Sequence, residues 1–448
     1  MAANCQPGKM EAVMASQLQR RCVRFIALLV VASAVMWIYP SVTVAATLHV
    51  CPTGCTYSAI QSAIDAAQTG DKIAVAPGTY TENLLIDPPV AATTLSLIGT
   101  GATRTIVDGS QGECVMQIDK GYTVSISGMT LTNGECPPAG GILSDGTLTL
   151  TNVTVSQNQG TEGGGGIAND VDGTLTLINS TLTDNTALSQ TSGMGGGLLN
   201  FGAASLIDTT VSGNLAPAEG GGIDNEGMMQ ITNSRIINNT THGVGGGLDN
   251  RNNNLGTGPA TVTISNSSFS NNIAFTGGGF FNSDGMITVT GTLIKENSAG
   301  EGGGLENSFK ATTTLTKSQV SRNTASTDAG GISNDRGTLT LTDSLLNNNA
   351  AVSTVGSKGG GLGIFGGTVV LNRSPVTHNS ASGPIGGLGG GIVITDAGSL
   401  TLKHSPVTAN NASTDGGGIY VFTGTVDGLG TSPVRGNQPD NCVNVPGC

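Results

Sequence analysis

Aromatic side chains and charge are what this 448-residue chain has least of. Phe, Trp and Tyr make up 3% of it, with a single Trp. Asp, Glu, Lys and Arg together reach only 11%, against about 25% in an ordinary domain. So few rings exclude a globule built around a large aromatic core. So little charge, beside an apolar share of 37%, excludes a chain held open by self-repulsion. Histidine occurs four times and paired CxxC spacing not at all, which removes the ordinary zinc sites. Past residue 46 no apolar run approaches the ~20 residues of a membrane helix.

Glycine, by contrast, supplies 70 residues, about 16% against a usual ~7%. It does not recur at every third position, so a collagen triple helix is excluded. A thin structure remains, turned by glycine, whose small apolar core must recur along its length.

The first 46 residues read as an export signal and stand outside the fold. Lys9, Arg20, Arg21 and Arg24 precede an apolar run at 25–39, and Val44, Ala45 and Ala46 offer the small residues of a cleavage site. Cleavage is expected between Ala46 and Thr47, the competing reading being an uncleaved anchor. Removal takes away four bases and one acid, leaving 14 Lys and Arg against 29 Asp and Glu, a net charge of −15. Phosphate backbones are repelled by such a chain, so no nucleic-acid partner is expected. Six cysteines remain, and an even number in an exported chain points to disulfides. Spacing suggests Cys51 with Cys55, Cys114 with Cys136 and Cys442 with Cys448, among 15 possible connectivities.

The decisive feature is internal repetition. A Gly-Gly-Gly-aliphatic signature places its last residue at Ile142, Ile167, Leu198, Ile223, Leu248, Phe280, Leu305, Ile332, Leu362, Ile392 and Ile419. The intervals run from 25 to 32 residues, a base unit of 25 with insertions. Within each unit the apolar period is two, as in GTLTL at 146–150, 173–177 and 337–341, so the segments are strands. A second short strand follows (VTVSQN at 153–158, SPVTAN at 405–410), and the GGGI segment is a third. Strands this short cannot enclose a core within one unit, but stacked units can, with like residues above like. Two residues after the aliphatic position come Asn169, Asn200, Asn225, Asn250, Asn282, Asn307 and Asn334. Stacked, these amides are expected to form a structural ladder, each pairing with the carbonyl of the next. A calcium-binding RTX roll is rejected because its unit is nine residues.

At the start, YSAIQSAIDAAQTGD puts Ile60, Ala63, Ile64 and Ala67 on one face of a short helix suited to covering the open first coil. The run AIQSAIDAAQTGDKIAVAPGTYTENL resembles the opening of the pectin-lyase-like right-handed parallel β-helix superfamily. The pairing of GGGF (277–280) with FSNN (269–272) is similar to the repeats of polymorphic outer-membrane proteins. The expected fold is therefore all-β, a right-handed parallel β-helix with a short N-terminal capping helix. Residues 47–135 would form the cap and first coils, and 136–448 the repeated coils with a C-terminal closing segment.

The resemblance leaves function open, because this fold hosts lyases, hydrolases and non-enzymes. Lyases of the superfamily use aspartates for Ca²⁺ with an Arg or Lys base, and its hydrolases use paired Asp residues. In this chain the densest polar patch joins two adjacent units. Asp224 and Asp249 follow the aliphatic position, and Glu226 and Arg251 lie two residues on, all four on the outward face of a strand. Asp224, Glu226 and Asp249 are the candidate ligands of a hard cation such as Ca²⁺; surface charge compensation through Arg251 is the preferred reading, and no cofactor is expected. His242 and His378 have no acidic pair in a recognisable motif. Phe280/Phe281 and Tyr420/Phe422 are the close aromatic pairs, one member of each expected inside the coil. Thr-x-Thr steps (Thr147/Thr149, Thr174/Thr176, Thr338/Thr340) suggest an ice-binding plane, yet they break at 204–208 and 228–232. The expected function is a secreted or cell-surface scaffold, non-enzymatic and adhesin-like. The alternatives are a polysaccharide lyase or glycoside hydrolase acting on an extracellular polysaccharide, and an ice-binding surface.

Overall fold

The computed structural model describes residues 45–87, 93–252 and 258–448. The expected leader therefore lies outside the described residues, apart from Ala45 and Ala46. From Ala46 onward the chain forms one unit. Its strands are short because inward apolar residues come in ones and twos before a turn residue intervenes. Leu148 and Leu150 point inward from Thr147–Thr151 while the threonines between them face out. Val155 does the same in Thr154–Ser156, and Ile142 in Ile142–Ser144.

Each winding contributes one strand to each of three parallel sheets. Among the described residues, the first sheet has 15 strands, from Thr47–Val50 to Gly424–Asp427. The second has 14, from Gly78–Thr81 to Val434–Arg435, and the third 14, from Leu84–Ile86 to Cys442–Val443. Register carries each residue type onto its equivalent one winding on: Thr147, Leu148, Thr149 and Leu150 pair with Thr174, Leu175, Thr176 and Leu177. The fold is all-β, a right-handed parallel β-helix, the hand that right-twisted parallel strands impose on their crossovers. Its core is a continuous column rich in Leu, Ile and Val, within which the fully buried rings of Phe269 and Phe280 pack edge to face at 5.6 Å between centroids.

Helix α1 (Ile60–Ala66) lies over the first winding and buries Ile60, Ala63 and Ile64, as its spacing predicts. Its amino end is held by Glu82, whose carboxylate accepts the backbone N–H groups of Ile60 and Gln61 at 2.8 and 2.9 Å. The three cysteine pairs are bonded as spacing suggests, with Cα separations of 5.5 Å (Cys51 and Cys55), 5.2 Å (Cys114 and Cys136) and 6.1 Å (Cys442 and Cys448).

Two polar ladders run inside the core. In the third sheet, Asn169 donates its amide to the Asn200 carbonyl at 2.8 Å, and the chain of amides continues through Asn225, Asn250, Asn282 and Asn307 to Asn334. A longer ladder, which the V-x-x-N motif carries in the sequence, begins at Asn158 and passes through Asn239 to Asn437. From Asn185 onward each of its oxygens accepts two bonds, as Asn272 Oδ1 does from the Asn239 backbone N–H and side-chain amide, both at 3.0 Å. The Asn239 amide also donates to the Val211 carbonyl at 3.0 Å. Buried amides cost nothing net only when every donor and acceptor is matched in this way.

Candidate functional site

Between the second and third sheets the chain makes an extra pass, and this segment lies over the outward face of the third sheet. A glycine in the left-handed region makes the bend: Gly220 has φ +58°, and a Cβ there would stand 2.8 Å from the Cβ of Asp224. The residue directly after each aliphatic position therefore sits in the crook of the bend. Along the stack this position is occupied by Leu199, Asp224, Asp249, Phe281, Glu306 and Ser333, each in register with the next.

Alternation predicts that Asp224, Glu226, Asp249 and Arg251 share one outward face, and the structure brings all four together. Their expected setting as a surface cluster is corrected: Asp224 and Asp249 are 0% exposed and Glu226 8%. The covering segment seals them, and a period of two gives side without depth. Arg251 is inserted among the carboxylates. Its Nη2 donates to Asp224 Oδ2 at 3.0 Å, and its Nε lies 3.4 Å from Glu226 Oε1 and 3.6 Å from Asp249 Oδ2. Its Nη1 pairs with Glu219, a residue of the covering segment that sequence spacing does not tie to the cluster. Glu219 becomes legible only once the segment's own register, Glu219 against Val244, is known.

Four carboxylates thus face one guanidinium. Burial, then the neighbouring Asp249 and Glu226, pushes the Asp224 carboxyl well above the usual range. Burial and Glu226 do the same to Asp249. Burial brings the Arg251 guanidinium down to about 10. As a metal site the fit is partial. Oxygens of Glu219, Asp224 and Asp249 lie within 4.8 Å of one another. These are donors suited to a hard cation. Arg251, however, already fills the space between them with positive charge.

A second acidic group lies further along the same crook. Glu306 is fully buried, and burial followed by Glu301 raises its carboxyl to about 8. Glu301 accepts the Ser333 hydroxyl at 3.0 Å, and Lys358 approaches Asp328 at 3.5 Å. No residue spacing in the sequence singled out this group, because its members come from three different segments.

The remaining sequence candidates are dispersed. His242 and His378 are both exposed, and His378 sits at a left-handed corner with φ +56° beside the Thr377 hydroxyl at 2.8 Å. Phe280 is inside the coil with Phe281 outside, as expected. The expectation for the other pair is corrected: Tyr420, on the strand Ile419–Val421, and Phe422, in the bend just after it, both lie outside, centroids 4.7 Å apart, while Val421 points in. The threonine plane on the first sheet dips at Ala203 and Ser205, between Thr174/Thr176 and Met228/Gln230, leaving a depression of about 320 Å³.

No family model matches the chain, and no curated protein matches it. Solved structures do resemble it. A pectate lyase is 13% identical with a TM-score of 0.39, over 88% of this chain and 80% of that one. The A-module of a mannuronan C-5 epimerase from Azotobacter vinelandii is 12% identical with a TM-score of 0.40, over 86% and 94%. A pectin methylesterase from Aspergillus niger is 14% identical with a TM-score of 0.34, over 66% and 84%. Among the described residues no helix is long and apolar enough to cross a membrane.

Proposed function

We propose that the protein is an exported β-helix, secreted or held at the cell surface, that acts as a non-enzymatic, adhesin-like scaffold toward extracellular polysaccharide. The observation that carries this reading is the closure of the acidic groups. Asp224, Asp249 and Glu306, the carboxylates pushed furthest upward, are shut off from solvent, whereas proton transfer needs a base within reach of substrate. Three disulfides support an oxidising, extracellular setting. The test is incubation with pectate, alginate and neutral polysaccharides, with and without Ca²⁺, followed by analysis of chain length. No shortening is expected; product formation that disappears in Asp224→Ala overturns the reading.

A polysaccharide lyase or hydrolase is the second reading. It is favoured by the two raised carboxyls beside Arg251, since strongly shifted groups gather at reactive centres. Within it, Glu219, Asp224 and Asp249 would hold Ca²⁺, which would supply a bridge to an acidic sugar.

A further inference from the structure

The extra pass carries one large ring into solvent. Phe275 is 70% exposed and Ile273, two residues before it, 51%. The stack isolates this ring. The Phe275 N–H donates to Gly243 in one adjoining winding at 2.8 Å, and the Gly300 N–H from the other donates to Phe275 at 2.7 Å. With glycine on both sides, nothing covers the ring; a Cβ at Gly300 would come within 3.8 Å of its Cδ2. Beside the ring lies an open depression of about 390 Å³, lined by Phe275, Thr276, Ser298, Glu301 and Thr327 among others. Glu301 stands next to Thr276 across a parallel bridge, one carboxylate oxygen bound to Ser333.

A bare aromatic face beside hydroxyls and one half-buried carboxylate matches a pyranose ring. The sugar's C–H face covers the ring, and its hydroxyl edge donates to the carboxylate and exchanges bonds with Ser and Thr. The charge selects among sugars. Three carboxylates, Glu301, Asp328 and Asp335, outnumber the one nearby base, Lys358, and the whole chain carries −12, so a uronate is repelled.

We infer that the depression beside Phe275 and Glu301 is a binding subsite for a neutral pyranose unit of an extracellular glycan. The inference rests on the polysaccharide-engaging reading above and narrows it from polysaccharide in general to uncharged chains. The test is calorimetric titration of the full-length protein with cellohexaose, xylohexaose and mannohexaose, beside polygalacturonate and alginate oligomers. Binding of at least one neutral hexasaccharide is expected, weakened about tenfold or more in Phe275→Ala and in Glu301→Gln. An unchanged melting temperature in Phe275→Ala would accompany this, since the ring packs against little. Equal or tighter binding of the uronate oligomers, undiminished affinity in Phe275→Ala, or no binding of any neutral hexasaccharide each overturns the subsite. Those results leave the scaffold reading standing, because that reading is decided by product formation.

Discussion

Arg251 is the residue on which the acidic crook depends. Removing one partner of a buried ionic group costs about 3–5 kcal/mol, because the charges left behind have no water to turn to. In Arg251→Ala the carboxyls of Asp224 and Asp249 must hold protons to stay buried. A group whose pKa is raised in the folded state stabilises fully at low pH and loses that contribution as pH rises through the folded value. The variant's deficit in melting temperature is therefore expected to widen from pH 5 to pH 8; a pH-independent deficit would refute the assignment. Glu306 gives a cleaner case. Its carboxyl moves from 4.5 to about 8 on folding, so the wild-type protein should lose stability across that interval. Glu306→Gln keeps the shape without the titration. It is expected to raise the melting temperature on the order of 5 °C at pH 8.5 and to make little difference at pH 4.

The strand and its ladder are the next unit of stability. Asn239→Leu would leave the Asn214 amide and its backbone N–H without their acceptor, and the Val211 carbonyl without its donor. A loss of about 3 kcal/mol is expected, read as a lower melting temperature, whereas Asn238→Leu, at an exposed neighbouring position, should be tolerated less well than its exposure implies, because Asn238 has φ +58°. At this scale much was legible beforehand. The two-residue alternation of GTLTL fixed which side each residue faces, and the GGG intervals fixed which residues stack. Depth was not legible, because whether an outward strand face is wet depends on a separate segment passing over it. Asp224 and Tyr420 occupy the same outward column, yet Asp224 is sealed and Tyr420 is half-buried. Local periodicity contains no term for that cover. The short helix succeeded for the opposite reason: Ile60, Ala63, Ile64 and Ala67 record their own buried face.

For the whole solenoid, stability is close to a sum over neighbours, since each winding packs chiefly on the one before and the one after. Its ends are consequently its weak points, and both carry reinforcement. The helix and the Cys51/Cys55 bond guard the first winding, and the Cys442/Cys448 bond the last. Reduction should accelerate amide exchange at both ends, over residues 419–448 for the last bond, and leave the amides of residues 200–340 protected. Uniform acceleration along the chain would contradict a neighbour-by-neighbour fold.

The register of Ile223–Asn225 on Leu248–Asn250 has a final consequence. The two segments sit one above the other with matching geometry, 25 residues apart. Excising one such span would bring the cut ends together already aligned and pointing the same way. Length in this molecule is thus a free variable, able to grow or shrink by whole units without redesign of either terminus.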